Sequence, residues 1–335
     1  MRVSEVTGRE ILHLTAFGRS LQPLKDLLAD AREFSLSKNS KITTIWRPQS
    51  RTRRDYGYPW RCATKRPSRP IESVLLTRGQ RAILHDVDEF LNPRTRLWYA
   101  ERGIPWRRGY LLHGKAGTGK TSLSFSVAGV FGLDIYCLSL QDSSLTEEDL
   151  NNLFSNLPRR CVVLLEDIDC AGVRMQKNVR SEELEALKDT DSSPISLAAL
   201  LQVIDGAAAS EGRVLFMTTN FLEKLDQALI RPGRVDMKIE FTLATKMQVR
   251  EIYSLMYSTD RLGTFKDGCS KESIPKMAAE FADTVPEATV SPAELLGFLL
   301  QRKEELRRAL SEVKAWLDSN RFTTIPPEGK SHWAR

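Results

Sequence analysis

The decapeptide His113-Gly114-Lys115-Ala116-Gly117-Thr118-Gly119-Lys120-Thr121-Ser122 restricts what this chain can fold into more than any other stretch of it. It follows an apolar run, Tyr110-Leu111-Leu112, and leads into helical spacing over residues 119–131. The order is therefore strand, glycine-rich bend, helix. Glycines let successive backbone N–H groups point inward with no side chain in the way, and the following helix turns its positive end to the same place. Such a cup fits a dense anion, the phosphates of a nucleotide. In the pattern G-x-x-x-x-G-K-[ST], Gly114, Lys115, Ala116, Gly117, Thr118 and Gly119 form the cradle. Lys120 reaches the β and γ phosphates, Thr121 offers its hydroxyl to Mg²⁺, and Ser122 continues the first helical turn.

Three further stretches extend the chemistry. Val162-Val163-Leu164-Leu165-Glu166-Asp167-Ile168-Asp169 sets acids at the end of an apolar strand, expected beside the phosphate loop in a parallel sheet. One of the pair Glu166 and Asp167 can bind Mg²⁺ through water while the other polarises an attacking water. The residues alone leave open which does which. Leu215-Phe216-Met217-Thr218-Thr219-Asn220 repeats the geometry on another strand, with the Asn220 amide able to orient that water. Leu225 to Asp236 places Arg231 and Arg234 around Pro232-Gly233, on a turn expected to aim both outward, where an arginine can stabilise phosphoryl-transfer charge on a neighbouring molecule.

From residue 109 the chain alternates strands at 110–113, 134–139, 161–166 and 213–218 with helices at 119–131, 146–156 and 196–206. That alternation predicts an α/β fold, a parallel sheet with helices on both faces. Beyond residue 244 only helical patterns occur, at 245–257, 271–283, 291–301 and 302–316, predicting an all-helical C-terminal lobe. Upstream, an amphipathic helix over 20–37, a short strand at 42–46 and an apolar segment at 71–76 predict a small α+β N-terminal domain. The expected divisions are 1–75 with a basic connector, 76–243, 244–317 and a tail 318–335. Residues 171–194 are polar and read as an exposed insertion.

Composition excludes several classes. The 335 residues are 41% hydrophobic, enough for a sizeable core, yet no run of about 18 apolar residues exists to span a bilayer. Five cysteines without a C-x-x-C pair, three of them in or beside apolar runs where buried thiols are common, read as a reducing compartment, and the four histidines show no zinc spacing. The net charge of +6 is concentrated in residues 46–70, where Trp46, Tyr56, Tyr58 and Trp60 interleave with arginines and lysines. Such a stretch can grip single-stranded nucleic acid. The reading preferred here is a solvated connector whose aromatics pack on the neighbouring domain, with no nucleic-acid partner. No N-K-x-D occurs, which argues against guanine recognition.

Taken in order, the phosphate loop, LLEDID, TTN and LDQALIRPGRVD resemble the AAA family of ATP-driven ring machines. WYAERGIPWRRGYLLHGKAGTGKTSL, LSLQDSSLTEEDLNNLF and the N-terminal LTAFGRSLQPLKDLLADARE are similar to the mitochondrial AAA chaperones that move the folded Rieske iron-sulphur protein across the inner membrane during complex III assembly. The form of the insertion after Asp169 looks like that of fungal paralogues. The resemblance implies ATP and Mg²⁺ as cofactors, hydrolysis of ATP, and a homo-oligomeric ring of six or seven subunits with a protein client. It also implies that Thr121, Glu166 and Asp167 serve the metal, that Asn220 senses the γ phosphate, and that Arg231 and Arg234 reach the neighbouring subunit's nucleotide. Location at the mitochondrial inner membrane is implied through an N-terminal segment that this sequence does not contain. The Glu166-Asp167 order inverts the common Asp-Glu, as in the Rieske translocase group. A scaffold that binds nucleotide without turnover and a nucleic-acid motor are the alternative classes.

Overall fold

The computed structural model describes residues 2–6, 9–13, 15, 20–28, 30, 42–49, 58–69, 71, 74, 76–142, 145–169, 195–206, 211–258 and 273–320. Strands β1 (Arg2–Val6) and β2 (Arg9–His13) pair antiparallel as a two-stranded sheet of their own. Residues 22–28 are helical, with Leu21, Leu27 and Leu28 exposed; the rest of the helix expected to residue 37, the insertion at 171–194 and the tail from 321 lie outside the described residues. Next come β3 (Ile42–Pro48), β4 (Trp60–Pro67), α1 (Arg78–Leu91), α2 (Pro93–Glu101), β5 (Arg108–Gly114) and α3 (Lys120–Val130). They are followed by β6 (Ile135–Ser139), α4 (Glu147–Ser155), β7 (Val162–Glu166), α5 (Leu197–Asp205), β8 (Val214–Thr219) and β9 (Met237–Phe241). Helices α6 (Lys246–Tyr257), α7 (Ile274–Thr284), α8 (Pro292–Leu300) and α9 (Leu306–Asn320) complete the chain.

One seven-stranded sheet organises these elements, in the order β4-β3-β6-β7-β8-β5-β9 and parallel throughout except for β4. Because side chains alternate across a pleat, each strand feeds two cores. Leu111, Tyr136, Leu138, Val163, Leu165 and Met217 pack with Leu150 and Leu153 of α4 and with Leu200 of α5. Tyr110, Leu112, Ile135, Val162, Leu164 and Phe216 pack on the other face with Ile83 and Val87 of α1 and with Leu123 and Val127 of α3. A third core lies wholly among α6 to α9 around Tyr253, Phe281 and Phe298, which forms the expected helical lid. Helix starts follow the sequence chemistry: Thr77 with Gln80, Thr146 with Asp149, Thr245 with Gln248 and Ser291 with Glu294 close capping boxes.

Four features of the sheet and its helices differ from these expectations or add to them. The acid-bearing strand β7 is not next to the phosphate-loop strand, because β8 lies between β7 and β5. The chain skips two sheet positions after β5 and then returns, so the strand ending at Thr219 comes to lie between the acid-bearing strand and the phosphate-loop strand. Second, residues 60–67 are strand rather than connector: β4 pairs with β3 from Ile42↔Pro67 to Pro48↔Trp60. Third, β3 runs parallel to β6, so the N-terminal segment contributes strands to the same sheet as the phosphate loop. Fourth, α1, α2 and β9 lay outside the expected elements. β9 is five residues, MKIEF, paired with β5 from Tyr110↔Met237 to Gly114↔Phe241.

Two aromatic residues of the basic stretch, Trp46 and Trp60, turn inward, while Tyr58 stays exposed. Trp46 stacks on Tyr136 with ring centres 5.7 Å apart, and Trp60 meets the same tyrosine edge-on at 5.0 Å. The Trp60 indole donates to Leu153 O at 2.9 Å and the Tyr58 hydroxyl to Asn156 O at 2.6 Å. Arg61, Lys65 and Arg66 of β4 stay exposed, a charged edge that discourages further strand pairing. Arg51, Arg53, Arg54 and Tyr56 lie outside the described residues. Arg213 is buried and donates to Phe154 O, Leu157 O and Pro158 O, closing the carbonyl end of α4. Burial pushes the thiols of Cys137 and Cys161 up to about 12, so neither is a nucleophile near neutral pH.

Asp86 fastens α1 to β5. Its carboxylate accepts from Arg108 Nε at 2.8 Å, from Arg108 Nη2 and from the hydroxyl of Tyr110, a fully buried residue. Burial raises the Asp86 pKa, but the bonds from Arg108 and Tyr110 outweigh it and leave it below the ordinary carboxylate range. A lowered folded pKa contributes stability that is present above the unfolded value of about 3.9 and is lost as pH falls through the folded value. Asp86→Ala is expected to cost about 2–3 kcal/mol, since it strands a guanidinium and a buried hydroxyl. Urea unfolding at pH 7 checks this, and an unchanged midpoint would count against it.

Candidate nucleotide site

The phosphate loop hangs between β5 and α3. Gly114, Gly117 and Gly119 have φ of 132°, 75° and 105°, a region in which side chains are strained. At Gly114 there is a second demand, because a Cβ there would overlap the Phe241 carbonyl of β9. Gly119 is the left-handed cap from which α3 begins, so Lys120, Thr121 and Ser122 occupy the helix's first turn, where backbone N–H groups have no intrahelical acceptor. Thr118 Oγ1 donates to Lys115 O at 2.7 Å and closes the loop on itself.

Lys120 is the pivot of the site. Its side chain is largely buried, and Nζ donates to Gly114 O at 2.7 Å, Lys115 O at 2.9 Å and Asn220 Oδ1 at 2.8 Å. Burial lowers the Lys120 pKa, while the carboxylates of Asp167 and Asp169 work against that. Asn220, just past the end of β8, therefore joins the loop to the acids, and its Nδ2 lies 3.5 Å from Asp167 Oδ1. Asp169 is buried and accepts from Thr219 Oγ1 at 2.7 Å and from Asn220 N at 3.2 Å, which fixes the Asn220 backbone. Sequence reasoning quoted Asp169 and gave it no role; its signal was a third acid in a run that needs only two.

Asp167 has φ of 49°, unusual for a residue with a side chain, and its N–H donates to Thr218 Oγ1 at 3.1 Å. The left-handed turn takes Asp167 out of the strand's alternation and onto the wall of a cavity of about 370 Å³. The same cavity is lined by Ala116, Gly117, Thr118, Gly119, Lys120, Thr121, Ser122 and Asn220, with Phe241 and the lid residues Ile252, Leu255, Pro292, Ala293 and Leu296. The lid touches the loop directly: Ala293 N donates to Gly117 O at 3.1 Å.

Glu166 does not line this cavity. Alternation along β7 carries it to the sheet face covered by α3, where Arg47 Nη2 of β3 lies 3.6 Å from its carboxylate. Burial raises the Glu166 pKa, the Arg47 charge lowers it and Asp167 raises it again. Arg47 had no role in the sequence reading, because nothing in a linear pattern brings β3 beside β7's acids across β6.

The two arginines of the 225–236 turn part company. Arg231 is exposed, as expected. Arg234 is not aimed outward: its guanidinium grips the Asp205 carboxylate with Nε and Nη2, and Nη1 donates to Ala228 O at 2.6 Å. The expectation that the turn aims Arg234 outward is corrected by α5, whose last residue is Asp205. Neither arginine lines the cavity.

A magnesium nucleotide suits this donor set. Mg²⁺ prefers hard oxygen ligands, one or two carboxylates with the rest from substrate phosphates and water. Thr121 and Asp167 on the wall, with Glu166 behind, are of that kind. Among the described residues no group of three or more acids, histidines or cysteines forms a self-sufficient metal cage.

Comparison with known proteins agrees with this geometry. Residues 110–243 match the family described as ATPase family associated with various cellular activities (AAA). Residues 2–74 match BCS1 N terminal, and residues 246–315 match Mitochondrial chaperone BCS1-like, ATPase lid domain. The chain is 36% identical over 324 residues to the probable mitochondrial chaperone BCS1-B of Dictyostelium discoideum, covering 91% of this chain and 66% of that protein. It is 36% identical to the probable mitochondrial chaperone bcs1 of Schizosaccharomyces pombe, covering 93% and 63%, and 35% identical to the mitochondrial chaperone BCS1 of Bos taurus, covering 92% and 68%. The chain thus spans about two thirds of the length of these relatives.

The Arg47 contact gives a signed expectation. Arg47→Ala removes the charge that lowers the Glu166 pKa and leaves burial and Asp167, so the Glu166 carboxyl should titrate at higher pH in the variant. A carbon-detected NMR titration of the Glu166 carboxyl measures this; a value unchanged or lower would show that the ion pair has no hold on it.

Proposed function

This chain belongs to the BCS1 family of AAA ATPases, and we propose that it hydrolyses ATP within a homo-oligomeric ring of six or seven subunits to move a protein client. The setting proposed is the mitochondrial inner membrane during respiratory complex III assembly, with the Rieske iron-sulphur protein as client. Among the described residues no helix is long and apolar enough to cross a membrane. The observation that carries the proposal is the single connected unit of glycine loop, Lys120, Asn220 and Asp167 at one end of the central sheet, roofed by the lid.

In the proposed mechanism, backbone N–H groups of the 114–119 loop and the start of α3 hold the phosphates. Lys120 exchanges its carbonyl and amide partners for phosphate oxygens, which keeps the buried ammonium satisfied and releases the Asn220 amide toward the attacking water. Thr121 and a carboxylate of the Glu166-Asp167 pair would hold Mg²⁺, which neutralises charge on the β and γ oxygens when bound. The other carboxylate accepts the proton of the water. Arg231 would serve the next subunit's site, with Arg234 keeping the turn in shape through Asp205. Exposed Leu97, Trp98 and Ile104 supply apolar surface that a neighbouring copy would cover.

Steady-state phosphate release tests the reading. The unaltered chain should turn over ATP, and Lys120→Ala should lose at least about 100-fold. Arg231→Ala should bind ATP as tightly as the parent yet hydrolyse it at least about 100-fold more slowly, and mixing it with Lys120→Ala should restore part of the activity. A parent that binds ATP without turnover would favour the scaffold alternative.

A further inference from the structure

Arg69 belongs to the segment matched by the N-terminal family, yet it lines the nucleotide cavity. Its Nη1 donates to Ser122 Oγ at 3.0 Å, in the first turn of α3. The placement is built. Pro67 ends β4 opposite Ile42 of β3, Ser68 Oγ is 3.2 Å from Thr43 Oγ1, and the chain then packs against α3 so closely that a Cβ on Gly129 would stand 3.1 Å from Ser68 Cβ and 3.3 Å from Arg69 N. Burial lowers the Arg69 pKa, the mark of a cation carried into a partly dry site.

Charge says what this cation is for. Among the described residues, the charged ones lining the cavity are Lys120, Arg69 and Asp167. Arg69 and Lys120 are thus the two described cations on the wall that a nucleoside polyphosphate would face. The described lid residues of the cavity, Ile252, Leu255, Pro292, Ala293 and Leu296, are uncharged. Lys120 serves the β and γ phosphates. Arg69 stands at Ser122, farther along the helix, where the motif's backbone donors meet the inner phosphate. A guanidinium binds phosphate through paired donors and stays charged when partly buried.

We propose that Arg69 is a nucleotide-binding residue, contributed by the N-terminal segment, which contacts the inner phosphate of the bound nucleoside di- or triphosphate alongside Lys120. This rests on the ATPase reading above and adds to it that the N-terminal segment completes the nucleotide site, so occupancy of the site is felt by the strand pair β3-β4 that carries Arg69.

Equilibrium titration of the full chain with fluorescent ADP and ATP tests the assignment, comparing the parent with Arg69→Ala, Arg69→Lys and Arg69→Met. Loss of the guanidinium should raise Kd for both nucleotides at least tenfold. Arg69→Lys should fall between the parent and Arg69→Ala, and Arg69→Met, which keeps the aliphatic stem, should bind as poorly as Arg69→Ala. The melting midpoint without ligand should hold in Arg69→Met, while the upward shift given by saturating ADP should shrink. Affinities within twofold of the parent in Arg69→Met, or a lowered ligand-free midpoint with unchanged Kd, would overturn the assignment and make Arg69 a packing residue. Absence of ADP and ATP binding by the parent itself would overturn the ATPase reading along with it, so the two failures are distinguishable.

Discussion

A buried ammonium must be given acceptors, and much of this molecule is arranged around that requirement at Lys120. Three oxygens satisfy it, two from the glycine loop and one from Asn220. Leaving them unpaired in a partly dry cavity would be costly, so the loop, the end of β8 and the cation hold one another in place. Asp169 fixes the Asn220 backbone and Asp167 lies against its amide. The network joins the loop, the amide and the acids into one connected unit.

The N-terminal segment is not an appendage to this centre. β3 joins the parallel sheet at β6, Trp46 and Trp60 bury themselves around Tyr136, and two arginines from the same segment reach the chemistry. Arg47 meets Glu166 and Arg69 meets Ser122. The lid approaches from the opposite side, through Ala293 on Gly117. Family-specific segments thus flank a nucleotide cavity whose loop is general to phosphate binders, a physical route by which nucleotide state could be read on both sides.

Much of the core was legible in sequence because its signals are local. The strands around 110–113, 134–139, 161–166 and 213–218 are continuous apolar runs, as parallel strands buried on both faces must be, and the lid helices repeat apolar residues at helical spacing. β4 was read as connector because its eight residues, Trp60–Pro67, are mostly exposed and basic, the composition of an edge strand as much as of a loop. β9 is too short for its alternation to stand out. Arg234 was read as outward-facing because its partner, Asp205, lies 29 residues earlier and shares no motif with it.

The sequence by itself determined the phosphate loop, the acids after β7, the amide after β8 and the helical lid, since each is written in a few consecutive residues through backbone torsion, pleat alternation or helical period. Only the tertiary structure decided that β8 separates β7 from β5, that Asp167 and not Glu166 lines the cavity, and that Arg47 and Arg69 reach the site at all. Those outcomes depend on how strands order themselves in the sheet and on which distant charge lies within hydrogen-bond range. Both are set by packing across the whole domain, and no stretch of neighbouring residues encodes them.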